Sequence, residues 1–281
     1  MPSGDANRAG MFSGILSSDL PARATAGLAM MASALASAWA GGLWFVGFWL
    51  AAALLVLWEW DGLARVGDRR AWLAGALGLV VAALLAYGAN LPASLAALVF
   101  GAAAGGMIGR SSPSTRLWSA AGVFYAGGML VAVCMLRASF PFGLQAILWL
   151  FAVVWGTDIM AYFGGRVIGG PKLWVRVSPG KTWSGFFIGI FCGAGAGFLA
   201  APASGGVFVL GLVAGAAAQG GDLAESAIKR HFGVKDSGKL IPGHGGVMDR
   251  LDGFIAAALL AGIVGLARQG TAQIASGVLS W

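Results

Sequence analysis

The sequence is short of charge. Of 281 residues, 11 are Asp or Glu and 18 are Lys or Arg, together 10% of the chain. An ordinary soluble domain carries about 25%. With 58% hydrophobic residues and so few charges, the chain cannot cover a water-facing surface, which implies an integral membrane protein. Cysteine is scarce as well. Cys134 and Cys192 fall in apolar stretches without metal-ligand spacing and read as buried, chemically silent thiols. The N-terminal stretch MPSGDANRAGMFSGILSSDLPARATAG lacks the compact charged-then-apolar plan of a signal peptide, so residues 1–23 read as a cytoplasmic tail. No linker or composition shift marks a second domain, and no internal repeat is evident. The net charge of +7 raises nucleic acid as a partner. No soluble basic module exists to carry it, so no nucleic-acid polymer is expected.

What the chain does have is long apolar runs and 47 glycines, a composition suited to close helix packing. A spanning helix needs roughly 17–25 mainly apolar residues. On that criterion nine transmembrane helices are expected, at 24–40, 42–58, 71–88, 92–109, 117–136, 145–163, 184–201, 206–224 and 252–268. Unbroken runs of this length argue for helices over a β-barrel, so the fold class is an all-α polytopic membrane protein. Residues 24–136 form the N-terminal helices, and residues 137–281 a C-terminal transmembrane catalytic region with cytoplasmic loops 164–183 and 225–251. Apart from Arg137 and Arg268, every one of the 18 basic residues falls in the tail or in the loops after spans two, four, six and eight. That asymmetry places the N-terminus and those loops in the cytoplasm. The Gly-rich segment GAAAG at 101–105 more often marks packing within a chain than between chains, and a homodimer stays open.

The few charges are not spread evenly. KRHFGVKDSGKLIPGHGGVMDRLDG, residues 229–253, holds five basic residues, three carboxylates and both histidines. Ionisable groups at membrane depth are costly and point to function. Asp222 and Glu225 are three apart on one helix face, and Asp249 and Asp252 repeat that spacing. Two such pairs suit a hard divalent cation such as Mg²⁺, which binds one or two carboxylates and fills its other positions with water and substrate phosphate. Lys229, Arg230, Lys235, Lys239 and Arg250 offer positive charge to phosphate. The glycines of PGHGG (242–246) let backbone N–H groups approach an anion. A second basic stretch, residues 162–185, alternates Arg166, Lys172, Arg176 and Lys181 with apolar residues and with Trp174 and Trp183. It reads as an interfacial loop or an anionic headgroup pocket. Asp158, near the end of span six, is a further acid at membrane depth.

These residues resemble the phosphatidate cytidylyltransferase family, also called CDP-diacylglycerol synthases. The family's C-terminal signature is matched by Ser226, Lys229, Arg230, Lys235, Asp236, Pro242, His244, Gly245, Gly246, Asp249, Arg250 and Asp252. GDLAES (221–226), TDIMAYFGGRVIG, SPGKTWSG and WEW (58–60) resemble its other blocks; Ser184 stands where the family usually has Glu. The resemblance implies CTP + phosphatidic acid → CDP-diacylglycerol + pyrophosphate, carried out in a bacterial cytoplasmic (inner) membrane with the site facing the cytoplasm.

By the same resemblance Asp222 and Asp249 are the Mg²⁺ ligands, with Glu225, Asp236 and Asp252 beside them, and a second metal or monovalent cation is left open. Lys229, Arg230, Lys235, Ser237, Gly245, Gly246 and Arg250 would hold the CTP phosphates. Arg166, Lys172 and Lys181 would hold the lipid phosphate. His244 is a helper at a phosphate or a turn histidine, and His231 has no assigned role. Among other readings, a CTP-dependent polyprenol kinase should match this signature poorly. A CDP-alcohol phosphotransferase needs Asp-Gly-x-x-Ala-Arg, which DGLAR at 61–65 misses by one residue. An ion-coupled transporter predicts inverted repeats and acids at the bilayer midplane rather than at the ends of spans.

Overall fold

The computed structural model describes residues 20–108, 112–201, 204–240 and 245–281. Ten helices and one two-stranded ribbon account for almost all of them. In chain order these are α1 (Leu20–Ala40), α2 (Gly42–Leu63), α3 (Arg69–Tyr87), α4 (Leu91–Ile108), α5 (Pro113–Ala138), α6 (Gly143–Ile168), β1 (Lys172–Trp174), β2 (Ser178–Thr182), α7 (Trp183–Ala200), α8 (Gly205–His231), α9 (Met248–Gln269) and α10 (Ile274–Leu279). Eight of these helices, α2 to α9, are long and apolar enough to cross a membrane. The chain is an all-α polytopic membrane protein, as its composition requires.

The first expected span lies within α1, whose apolar part, Thr25–Ala40, falls short of the length of the other eight. At 1.5 Å per residue such a stretch reaches only about 24 Å of a ~30 Å hydrocarbon core. The C-terminal helices are longer than hydropathy alone implied. α8 runs on through Glu225, Lys229 and Arg230 to His231, and α9 starts at Met248, so the expected 225–251 loop shrinks to 232–247. The segment ESAIKRH has no Gly or Pro to stop the helix before Gly233, at φ 73°, and its basic residues complement the helix C-terminus. The expected 164–183 loop is α6 to Ile168 followed by an antiparallel hairpin that pairs Lys172 with Thr182 and Trp174 with Ser178.

Glycine sets how closely the helices approach. On α7, Gly185, Gly189, Gly193 and Gly197 recur every fourth residue and form one buried stripe. A Cβ at Gly185, Gly189 or Gly193 would run into the α6 carbonyl oxygens of Ala161, Thr157 and Val153 at 2.6–2.8 Å. The two backbones therefore touch, as small-residue seams permit. Gly78 and Gly101 join α3 to α4 in the same way, and Gly105 lies on Ala71. The GAAAG segment thus packs inside the chain. Larger side chains fill the centre, where Trp49 stacks on Phe254 at 4.8 Å and on Phe151 at 6.1 Å, tying α2, α9 and α6.

Asp68 and Thr182 cap helices at one end of the bundle, and Asn90 caps α4 at the other. Asp68 caps α3 by accepting from the N–H groups of Arg70 and Ala71, and Thr182 caps α7 by accepting from that of Gly185. The indole of Trp60, near the end of α2, donates to the Trp118 carbonyl at the start of α5 at 2.8 Å. Trp118 in turn stacks on His231 at the end of α8, which gives that histidine a packing role. At the other end both basic residues serve backbone. Arg137 donates to the Ala38 carbonyl at 2.8 Å. Arg268 donates to the carbonyls of Gly277 and Ser280 and lies 3.6 Å over the Trp281 ring, which fastens α10 to α9. Cys134 is buried, whereas Cys192 is exposed on α7; an apolar run gives a residue's depth but not the side of the helix it occupies.

The glycine seam predicts a sharp contrast between neighbours. A methyl at Gly193 would sit 2.7 Å from the Val153 carbonyl oxygen, while one at Gly195 meets nothing within 4 Å. Gly193→Ala should lower the melting temperature in detergent by several degrees, consistent with about 1–3 kcal/mol of overpacking. Gly195→Ala should leave it unchanged, and equal melting temperatures would refute the seam.

Candidate active site

Five elements converge at the end of the bundle where α3 and α7 begin. α8 carries Asp222, Glu225, Ser226 and Lys229 along one face at helical spacing. α9 begins there with Asp249 and Asp252 in its opening turns, β2 contributes Lys181, α6 contributes Asp158, and α2 contributes Glu59 near its end.

Lys229 is the centre of the arrangement. Its ammonium is buried and sits 2.8 Å from Glu225 and 2.7 Å from Asp249, which locks the end of α8 to the start of α9. Asp249 is more fully engaged. Besides Lys229 it accepts the N–H of Ser237 on both oxygens at 3.1 Å and the N–H of Gly246 at 2.8 Å. A carboxylate has about four lone-pair positions, so Asp249 is nearly saturated as it stands.

Glu59 does for the loop what Asp249 does for the helices. Although it lies on α2, its carboxylate accepts from Val247 N–H at 2.9 Å, Met248 N–H at 2.7 Å and the Ser237 hydroxyl at 3.2 Å. Two of these donors are the unsatisfied amides where α9 begins, and the helix N-terminus favours a negative charge there. Gly238 and Gly246 press against the same carboxylate, leaving no room for a Cβ. Glu59 is 2% exposed. Nothing in the loop sequence pointed to it; the available signal was a carboxylate wedged between two tryptophans at the end of an apolar run.

The second ion pair joins the hairpin to the acids, with Lys181 Nζ 2.6 Å from Asp222 Oδ2. Asp222 also receives the Ser226 hydroxyl at 3.4 Å. Asp252 lies in the field of Asp222, Glu225 and Asp158, and Asp158 in that of Asp222, Lys181 and Arg250. The result is a group of acids held near one another, with lysines and an arginine set among them. The buried Tyr125 hydroxyl of α5 faces the same acids without a hydrogen-bond partner.

The structure thus brings together Asp222, Glu225, Lys229, Ser237, Gly246, Asp249, Asp252 and Lys181. Other expected residues lie apart. Arg230 is exposed and donates to the Val234 carbonyl at 3.1 Å, Arg166 donates to the Tyr162 hydroxyl at 3.0 Å, and Lys172 is exposed beside the Gly180 carbonyl. Lys235 and Asp236 are exposed, although the Asp236 side chain lies beside the Gly245 turn next to Asp249. Gly245, at φ 83°, makes the turn that leads into Gly246. The Gly246 amide, expected to face phosphate, is committed to Asp249. His244 lies outside the described residues. Among the described residues no three His, Cys, Asp or Glu side chains already form a metal-binding group. In chemistry the donors are hard oxygens that fit a hard divalent cation, with Asp222, Glu225 and Asp249 each paired to a lysine.

Comparison with known proteins bears on this geometry. A model of the cytidylyltransferase family matches residues 21–266. Relatives named phosphatidate cytidylyltransferase include those of Brucella abortus (strain 2308) and Brucella suis, each 44% identical over 234 residues, 79% of this chain and 84% of the relative. The one from Staphylococcus aureus (strain COL) is 46% identical over 124 residues, 40% of this chain and 46% of that protein.

The Glu59 contacts predict a defined loss. Glu59→Gln keeps the size but removes the charge and one acceptor from three donors. It should lower turnover about tenfold or more, in line with leaving buried donors unsatisfied, and speed amide exchange at Val247 and Met248. Native turnover with native exchange would refute the role.

Proposed function

The chain belongs to the cytidylyltransferase family, and we propose that it transfers CMP from CTP to phosphatidic acid, releasing pyrophosphate and forming CDP-diacylglycerol. One observation carries this reading beyond the family. Buried lysine–carboxylate pairs are joined, at one end of a bundle of apolar spans, to a basic hairpin at the ends of α6 and α7. Such an assembly meets a water-soluble polyanion from one side and a membrane lipid from the other. The basic residues at this end support a site facing the cytoplasm, and the bacterial relatives support a cytoplasmic membrane.

In the proposed reaction an oxygen of the phosphatidate monoester attacks the α-phosphorus of CTP in line. The bond from that phosphorus to the β-phosphate bridge breaks, and pyrophosphate leaves. The monoester is largely ionised at neutral pH because its second pKa is about 6, so no strong base is required. What the site must supply is positioning and positive charge, since both reactants are anions. Lys229 and Arg250 lie on the CTP side, and Arg230, Lys235 and Ser237 at its margin. Lys181 is the cation of the hairpin already at the acids, with Arg166 and Lys172 further out along the lipid's approach.

The donor set suits Mg²⁺, with Asp222 and Asp249 as its proposed ligands and Glu225 and Asp252 beside them. When bound it would neutralise the triphosphate and polarise the α-phosphorus. Since Lys181 and Lys229 now occupy those acids, their ammonium groups are the ones placed to turn toward phosphate when the acids are otherwise engaged. Ser237 and Gly246 donate their amides to Asp249 and so fix the chain on both sides of it.

Purified protein in mixed micelles should release pyrophosphate from CTP only when phosphatidate and Mg²⁺ are both present. Release without phosphatidate, or transport without release, would contradict the reading. Asp249→Asn should reduce turnover by about 100-fold or more, the scale of losing a group that acts on developing charge. Near-native turnover in that variant would remove Asp249 from the site.

A further inference from the structure

The hairpin presents a surface that the bundle does not cover. Its two strands pack along the ends of α6 and α7, where Thr182 is buried. At the turn Val177 is buried, whereas Trp174 is 51% and Val175 63% exposed. A two-stranded ribbon is marginal in water unless something covers it. Single exposed apolar residues are unremarkable, but these two do not stand alone. Val167 and Ile168 at the end of α6, and Trp183 and Phe187 at the start of α7, are also largely exposed and extend the apolar surface into the lipid-facing sides of both spans. Lys172 and Arg176 are exposed on the same ribbon.

We infer that the hairpin lies in the headgroup layer of the membrane leaflet on the active-site side, with Trp174 and Val175 at the acyl boundary and its cations among lipid phosphates. Tryptophan rings and basic side chains favour that depth for different reasons, the ring for its amphipathic shape and the cations for anionic headgroups. β2 runs from the tip to Lys181, about 13 Å at ~3.3 Å per residue. The ribbon therefore connects the lipid surface to the Lys181–Asp222 pair, and a headgroup held along it is led to the acids. That hand-over rests on the lipid-acceptor reading above; the depth of the tip does not.

Two measurements on the full chain test this. In a Cys192→Ala background, Val175→Cys carries an environment-sensitive fluorophore in phosphatidylcholine–phosphatidylglycerol vesicles. Lys239→Cys, on the exposed part of the 232–247 loop, provides the comparison. The label at 175 should be quenched by a nitroxide high on the acyl chain and shielded from iodide; iodide quenching equal to that at 239 overturns the inference. In surface-dilution kinetics, Trp174→Ala with Val175→Ser should raise the KM for phosphatidate about tenfold, as expected for weaker partitioning, and leave kcat and the KM for CTP unchanged. An unchanged KM, or a fall in kcat with both substrates, overturns the hand-over. A native chain inactive with phosphatidate would defeat the acceptor reading alone, because the quenching result does not depend on turnover.

Discussion

The pairing of Lys229 with Glu225 and Asp249 is the contact on which the site depends. A lysine that is 9% exposed needs partners to keep its charge, and carboxylates in so apolar a surrounding need a cation beside them. Removing one partner from such a pair costs about 3–5 kcal/mol because the survivor is left buried and uncompensated. The pair also joins α8 and α9, whose acids would otherwise repel. Around it the backbone follows: Asp249 draws in the amides of Ser237 and Gly246, and Glu59 draws in those of Val247 and Met248 from the opposite side.

Glycine seams and aromatic stacking set the positions of the helices that carry that polar assembly. The α6–α7 seam fixes the hairpin at its base, since Gly185 and Gly165 approach each other beside the Thr182 hydroxyl that caps α7. Lys181 is the residue before that cap, so its reach toward Asp222 is set by backbone contact rather than by a flexible loop. The same logic holds for α9, which is positioned by Trp49 against Phe254 and by the bond from its Arg268 to the Gly277 carbonyl of α10.

Much of this was legible in the sequence. Scarce charge and long apolar runs gave the polytopic helical fold, and the three-residue spacing of Asp222 with Glu225 and Asp249 with Asp252 identified the acids. What stayed hidden depends on contacts between distant segments. Glu59 is 189 residues from Met248, and Tyr125 reaches the acids from the middle of an apolar span. The extension of α8 through Glu225 to His231 was hidden for another reason: hydropathy reports where lipid ends, whereas helix formation depends on backbone and stops at Gly233. The hairpin was hidden because residues 172–182 mix apolar and basic side chains without a clean period of two.

Ser184 shows how a departure from the family pattern can be read in physical terms. Its hydroxyl donates to the Gly169 carbonyl and lies 3.0 Å from the Thr182 hydroxyl, closing the base of the hairpin onto the end of α6. A carboxylate has no proton to donate at neutral pH and could not make the bond to that carbonyl. It would also place a negative charge within a few residues of Lys181, where it would compete with Asp222 for the ammonium. With serine there, the hairpin base is held by neutral hydrogen bonds, and the Lys181 charge is directed to Asp222. The hairpin is thus joined to the acids by the Lys181–Asp222 ion pair, with the neutral Ser184 bonds closing its base beside it.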